Sequence, residues 1–387
     1  MRVTALAAHT PEAVRAALAA RGWEAQPAWF AATGLQPLTI LLEDLSDAER
    51  EALVGWAARA GADLLTGQGW ALVGAAASRL APLARADRVP PGLASLSPAL
   101  ARFLAAYAEP PRRWAIRGGE IPLEQPVLIG IVNVTPDSFS DGGRYGTADA
   151  AAAHGEQLAA HGARILDVGG ESTRPGAGVV PAAAEQARVV PVVRELVRRG
   201  LPVSVDTRKA VVAAAALAAG AVIVNDVSGL AFDPAMGETV ARSQAALVLM
   251  HMRGTPDTMD ALATYRHVAA EVAAELGAAA ERAEAAGVAR ERIALDPGFG
   301  FAKTPEHNFR LLDELATIVA LGYPVVVGPS RKRFLGAATG RPVEDRDRAT
   351  ATACALAWER GARLFRVHDV ALAREALSVA LATRPAT

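Results

Sequence analysis

Along the last two thirds of the chain, short apolar runs end again and again in a polar group. Asn133 and Thr135–Gly143 follow the first run, Asp167–Gly176 the second, Asp206 the third, Asn225-Asp226 the fourth and Met250-His251 the fifth. Asp296 follows the sixth, Gly328-Pro-Ser-Arg-Lys-Arg333 the seventh and Arg366-Val-His-Asp369 the eighth. Asp206, Asn225 and Asp296 offer acceptors and an amide, with no nucleophile set beside a base. Such a set suits a flat heterocycle with a donor-rich edge, and Lys332 can donate to its carbonyl or ring nitrogen. Arg174, Arg366, His368 and the Ser330–Arg333 segment suit an anion, since guanidinium meets phosphate bidentately. Asn133, with oxygens of the loop after it, can hold a magnesium ion that shares phosphate oxygens, because Mg²⁺ prefers few protein oxygens plus phosphate and water. Together the groups imply a heterocycle carrying a phosphate or pyrophosphate. The loops after the first and second runs are rich in Gly, Ser, Thr and Pro, with apolar handles in Phe139 and Pro175, as in lids that order over a substrate.

The elements that must position these groups are regular. Strands are expected at 127–134, 164–168, 203–206, 222–225, 246–250, 293–295, 325–328 and 364–367, and helices at 148–161, 182–199, 209–219, 265–286 and 308–321. Eight such units in about 265 residues predict an α/β fold, a (β/α)8 TIM barrel whose chemistry sits at the C-terminal strand ends. No Gly-rich dinucleotide turn favours a doubly wound sheet. Composition shifts near residue 120, and 108–119, with Pro110-Pro111 and Gly118-Gly119, reads as a linker. Residues 1–118 then form a small α/β domain of unknown role, with helices at 11–21, 46–60 and 75–80, a strand at 37–42 and a capping box at Ser46-Asp-Ala-Glu49; residues 119–387 form the barrel.

Composition narrows the class. The 387 residues carry 40 basic and 41 acidic side chains, so no global field favours nucleic acid or an anionic membrane. No apolar run is long enough to span a bilayer, the N-terminus lacks a signal peptide's pattern, and one cysteine, Cys354, excludes a disulfide framework, so a cytoplasmic enzyme is expected. Only Lys209, Lys303 and Lys332 are lysines among the basic residues, which makes each a candidate for work a guanidinium cannot do. Lys332 meets that expectation best, Lys303 less directly, and Lys209 reads as a surface residue at a helix start.

From about Pro126 onward the sequence resembles dihydropteroate synthases, the sulfonamide-inhibited enzymes of folate synthesis. The resemblance rests on GIVNVTPDSFSDGG, ILDVGGESTRPGA, VSVDTRK, IVNDVSG, LMHMRGTPDTM, LDPGFGFAK, GPSRKRFLG and RVHDV, in that order. It implies condensation of 6-hydroxymethyl-7,8-dihydropterin pyrophosphate with 4-aminobenzoate, releasing pyrophosphate. It also implies that Asp206, Asn225, Asp296 and Lys332 bind the pterin with Met250 against its ring, and that Asn133, Arg174, Arg366 and His368 hold pyrophosphate with Mg²⁺. Asp141 would support the metal shell, and Thr173, Pro175, Phe139, Phe301 and Ser330 would shape the aminobenzoate pocket. Ala302 departs from the family, which often has glycine there. The N-terminal domain has no counterpart in the compact bacterial members. A pterin-dependent methyltransferase would share the deep pocket without needing the two loops or the anion groups, and an inactive paralogue would be expected to have lost one of them. Small-molecule substrates and a homodimer are the expected partners, the apolar segment 353–358 being either an interface or a barrel-facing helix.

Overall fold

The computed structural model describes residues 37–108, 110–134, 148–172, 178 and 180–383. The expected helix at 11–21 and the expected site residues Phe139, Asp141, Thr173, Arg174 and Pro175 lie outside the described residues. Two compact units divide between Pro110 and Pro111.

In the first unit, strands β1 (Pro37–Leu42), β2 (Asp63–Gly67) and β3 (Trp70–Ala76) form an antiparallel sheet in the order β1-β3-β2. Alternation along β3 buries Ala71, Val73 and Ala75 against Leu53 and Trp56 of the helix Asp47–Ala60. That helix starts at the expected capping box, with Ser46 and Glu49 satisfying each other's backbone N–H groups, and ends at Gly61 in the left-handed region (φ 61°). The strands β2 and β3 and the helix Ser97–Ala108 go beyond the elements expected here.

The second unit opens with a hairpin where a linker was expected: β4 (Arg113–Ile116) and β5 (Gly119–Pro122) pair antiparallel. The same residues that signal a linker make the turn, because a two-residue connection needs the positive φ that Gly118 takes (81°). Eight strands follow: β6 (Val127–Asn133), β7 (Ile165–Gly169), β8 (Val203–Asp206), β9 (Ile223–Asp226), β10 (Ala246–Met250), β11 (Ile293–Asp296), β12 (Val326–Val327) and β13 (Leu364–Val367). They pair in parallel in the order β11-β10-β9-β8-β7-β6-β13-β12, and a parallel bridge between Leu295 and Val325 closes the ring. β12 is shorter than expected because Pro324 and Pro329, which cannot donate to a ladder, bracket it.

A helix follows each of these eight strands. The expected helices did not include those at Met236–Ser243, Arg333–Thr339 and Val370–Ala382, the helical segment around Cys354 extends over Asp347–Glu359, and the single helix expected over 308–321 is two, Pro305–Asp313 and Ala316–Val319. Thr304 and His307 form a capping box that starts the first of these early, with Pro305 where its missing N–H costs nothing. Period-two alternation sorts the strand residues. Leu128, Val132, Val168, Val205 and Leu249 face the helices, whereas Ile129, Ile165, Ile223, Val248 and Ala294 face the barrel axis. Trp114 of the hairpin, fully buried, packs into the axis cluster and donates its indole N–H to Arg292 O (3.0 Å). Ala353, Cys354, Ala357 and Trp358 are buried in the core, so one face of the 353–358 segment packs on the barrel, while Leu356 of the same segment is exposed.

Candidate active site

The inward positions one and two steps above the apolar axis cluster carry the chemistry. Asn133, Asp167, Asp206, Asn225, Asp296 and Arg366 follow from the same alternation that points Ile129, Ile165, Ile223, Ala294 and Leu364 inward. Arg366 donates from Nε to Asp167 Oδ2 (2.6 Å) and from Nη2 to Asp206 Oδ2 (2.7 Å). Asn225 Nδ2 donates to the same Asp167 oxygen (3.2 Å). Asp206 is thus turned to Arg366, while Lys209 occupies the N-cap position of the helix Ala210–Ala218 and Asp233 accepts from Ala210 N. At Gly169 a side chain would stand 3.6 Å from Asp206 Oδ2 and 3.8 Å from Asn133 Oδ1, so the missing Cβ keeps open a space bordered by both oxygens.

Across the mouth, Asp296 Oδ1 accepts from Gly298 N (2.7 Å), and Gly298 needs its positive φ (69°) because a Cβ there would lie 2.0 Å from His251 O. Lys332 Nζ lies 4.0 Å from the centroid of the Phe301 ring. Met250 and Phe301 are buried together with Met259 and Ala302, giving one wall an apolar, polarisable face. Ser330 Oγ and His368 Nδ1 are 2.9 Å apart, and His368 N donates to the same hydroxyl (3.2 Å), tying the loop after β12 to the end of β13. Arg331, at φ 57°, anchors that loop by a bidentate pair with Asp347 (2.8 and 2.7 Å).

Burial sets the titration of the deep groups. Burial, with Asp167 close by, raises the Asp206 carboxyl to about 7 against the pull of Arg366 and Lys332, because one guanidinium cannot neutralise two carboxylates. Asp296 is raised to about 6 by burial, opposed by the Gly298 N–H and Lys332. Arg366 stays charged: burial disfavours its cation, and Asp167 and Asp206 more than offset that.

Three buried groups carry structure that the sequence reading did not assign. Lys303 Nζ donates to Gly298 O (3.2 Å) and Phe301 O (3.0 Å) and meets His251 Nδ1 (2.9 Å), while His251 Nε2 meets Glu275 (3.1 Å). Lys303 thus folds back to cap its own loop, and burial lowers its ammonium to about 7. Lys209 is no surface residue. It is buried, donates to Glu171 (2.9 Å) and pairs with fully buried Glu185, while Glu171 also accepts from Val180 N (3.0 Å). Asp167 closes the list. The scarcity of lysine pointed at the first two; Asp167 is marked in sequence as the polar end of the second run, but nothing local named its partners.

A family described as pterin binding enzyme matches residues 129–368, which lie within the second unit. Dihydropteroate synthase of Mycobacterium leprae (strain TN) is 51% identical over 259 residues, covering 65% of this chain and 91% of the relative. This chain belongs to the dihydropteroate synthase family. Among solved structures of that family, the Xanthomonas albilineans enzyme with 4-aminobenzoic acid superposes with a TM-score of 0.66 at 47% identity, covering 71% of this chain and 99% of that one. The same enzyme in complex with 7,8-dihydropteroate gives 0.64 at 44% identity, over 70% and 100%.

Proposed function

We propose that this dihydropteroate synthase family member joins 6-hydroxymethyl-7,8-dihydropterin pyrophosphate to 4-aminobenzoate, giving 7,8-dihydropteroate and pyrophosphate. The observation that carries the reading is the convergence of Asp206, Asn225 and Asp296 with Lys332 and Arg366 on one barrel mouth, in a chain 51% identical to a dihydropteroate synthase. The carboxylates of Asp206 and Asp296 and the amide of Asn225 take the donor edge of the pterin, Lys332 its carbonyl or ring nitrogen, and Met250 its face. Arg366 has five N–H donors, of which two are used by Asp167 and Asp206, so the rest can meet pyrophosphate beside His368. By the family resemblance, Arg174 would join the anion group, and Thr173, Pro175, Phe139, Phe301 and Ser330 would shape the arylamine's place, with Asp141 near the metal.

The donor set fits magnesium held jointly with substrate. Asn133 contributes one exposed neutral oxygen at the Gly169 cradle, and the described residues hold no cluster of three His, Cys, Asp or Glu side chains able to bind a metal alone. Bound there, the ion supplies charge neutralisation to the departing pyrophosphate. The residues do the rest by position and charge. The bond between the exocyclic methylene carbon and the pyrophosphate oxygen breaks with its electron pair going to pyrophosphate, which Arg366 and His368 hold, while the reduced ring spreads the cation. The arylamine lone pair then forms the C–N bond, and its proton leaves to water or pyrophosphate. An aniline-type nitrogen is unprotonated at neutral pH, so no enzymic base is required.

Among the described residues no helix is long and apolar enough to cross a membrane. The protein acts in the cytoplasm as a homodimer in this reading, with exposed Leu356 and Val379 on neighbouring helices as the apolar contact; a monomer in sedimentation equilibrium would overturn the dimer. The deciding experiment is pyrophosphate release from the full chain with dihydropterin pyrophosphate, 4-aminobenzoate and Mg²⁺, each omitted in turn, and with Asn133→Ala. Dihydropteroate formation that needs all three and drops at least about tenfold in the variant supports the reading, a loss of one charge-assisted contact to the anion complex. Pterin binding without turnover overturns it in favour of an inactive paralogue.

A further inference from the structure

Asp167 is 1% exposed and sits on β7, one inward position below Gly169, beneath the groups given to substrate above. One of its oxygens, Oδ2, is shared by Arg366 Nε and Asn225 Nδ2. The other, Oδ1, is buried without a hydrogen-bond partner among the described residues, and the side chain borders a barrel-core cavity of about 10 Å³ with Ser204, Trp114 and Val248. That is the room a single water needs. Burying a carboxylate on the axis of a barrel is costly, and it is not needed to neutralise Arg366, which already has Asp206. A second anion for one cation is an excess that stability alone does not explain.

What Asp167 does hold is the aim of two groups from different strands. With Nε on Asp167 and Nη2 on Asp206, the guanidinium plane of Arg366 is fixed along two edges, leaving the Nη1 edge for another ligand. Asn225 gives one of its two amide N–H groups to the same Oδ2, which fixes the amide plane and leaves its oxygen and second N–H for substrate. We propose that Asp167 is a positioning residue that sets Arg366 and Asn225 as one unit, so that the pyrophosphate end and the pterin end of the substrate are held at a fixed spacing. The inference rests on the proposed function only for what those two groups hold.

The test is Asp167→Asn, which keeps the shape but removes the charge and one acceptor, made in the full chain alone and together with Arg366→Lys. The KM for dihydropterin pyrophosphate should rise about tenfold or more and kcat should fall, while the KM for 4-aminobenzoate stays within about twofold. Affinity for inorganic pyrophosphate, titrated by calorimetry, should weaken by about tenfold in the single variant and change by less than about twofold when Asp167→Asn is added to Arg366→Lys, because a residue acting through another is not additive with it. Additive losses, unchanged pyrophosphate affinity, or a uniform loss that tracks a lowered Tm would overturn the proposal. Should the variant fail to fold, the wild-type protein decides: the Nε–H resonance of Arg366 should be protected from solvent exchange before any ligand is added, and rapid exchange would overturn the inference. A wild-type chain that makes no dihydropteroate would sink the functional reading instead; an active wild type with an indifferent Asp167→Asn sinks this one.

Discussion

The two sides of the barrel mouth solve the burial of charge in different ways. On the side of β7, β8, β9 and β13, side chains neutralise one another across strands: Arg366 reaches Asp167 and Asp206, partners 199 and 160 residues away in sequence. On the side of β10 and β11, the groups after Asp296 are satisfied by their own loop, with Gly298 N on Asp296 and Gly298 O and Phe301 O on Lys303, all within five residues. The long-range side exists only once the barrel has closed, and an arriving anion can compete there with Asp206 for Arg366. The short-range side carries its geometry in one octapeptide, Asp296–Lys303, and presents Asp296 and Phe301 in a fixed relation.

The sharpest way to break the short-range side is Gly298→Ala. Its Cβ would meet His251 O at 2.0 Å, a backbone atom that cannot step aside, in a conformation that L residues avoid. A loss of roughly 4 kcal/mol is expected in urea denaturation, together with loss of pterin affinity, because Asp296 is held by that same residue's N–H. A fully stable variant that still binds pterin would show that the loop does not depend on its own turn.

Next in size is Lys303→Met, which leaves Gly298 O, Phe301 O and His251 Nδ1 without their donor and should cost about 3 kcal/mol. It should also change how stability depends on pH. Lys303 titrates near 7 when folded and near 10.5 when unfolded, so the unfolded chain holds the extra proton between those values and stability rises with pH across them; the variant should lose that rise. Asp206 gives the opposite slope in a lower window. Its folded value near 7 lies above an unfolded value near 3.8, so its contribution is complete below about 4 and is lost as pH rises to 7, a fall that Asp206→Asn should remove. Asp296, near 6, adds to that fall, while His251, lowered by burial to about 4, opposes it between 4 and 6.5. Identical pH profiles for the two variants would erase the distinction between the sides.

The same distinction explains how much could be read from sequence. Asp206, Asn225, Asp296 and Arg366 were legible because a period-two strand places its last inward residue at the mouth, wherever the partners are, and Lys332 because lysine is scarce and it follows the seventh strand. The role of Asp167 was not legible, because it depends on which strand lies beside which after closure. Lys209 was misread for a related reason: its partners Glu171 and Glu185 lie 38 and 24 residues away, and a helix-start lysine looks exposed without them. The hairpin β4–β5 reads as a linker in sequence because proline and glycine mark a turn without saying what it joins.

The smallest effect is expected below both sides, at the barrel's other end. Trp114→Phe keeps most of the apolar plug and loses one hydrogen bond, to Arg292 O, plus part of a ring, so stability should fall by about 1–2 kcal/mol. The KM values for dihydropterin pyrophosphate and 4-aminobenzoate should not move, since Trp114 packs among Ile129, Ile165 and Val248 and its indole N–H goes to Arg292 O rather than to a group given to substrate. A changed KM for the pterin substrate would mean that packing at the axis reaches Asp167 and Asn225 through the small cavity that Trp114 shares with them. The long-range side would then extend from the mouth to the floor, and Arg366 would owe its aim to apolar packing as well as to carboxylates.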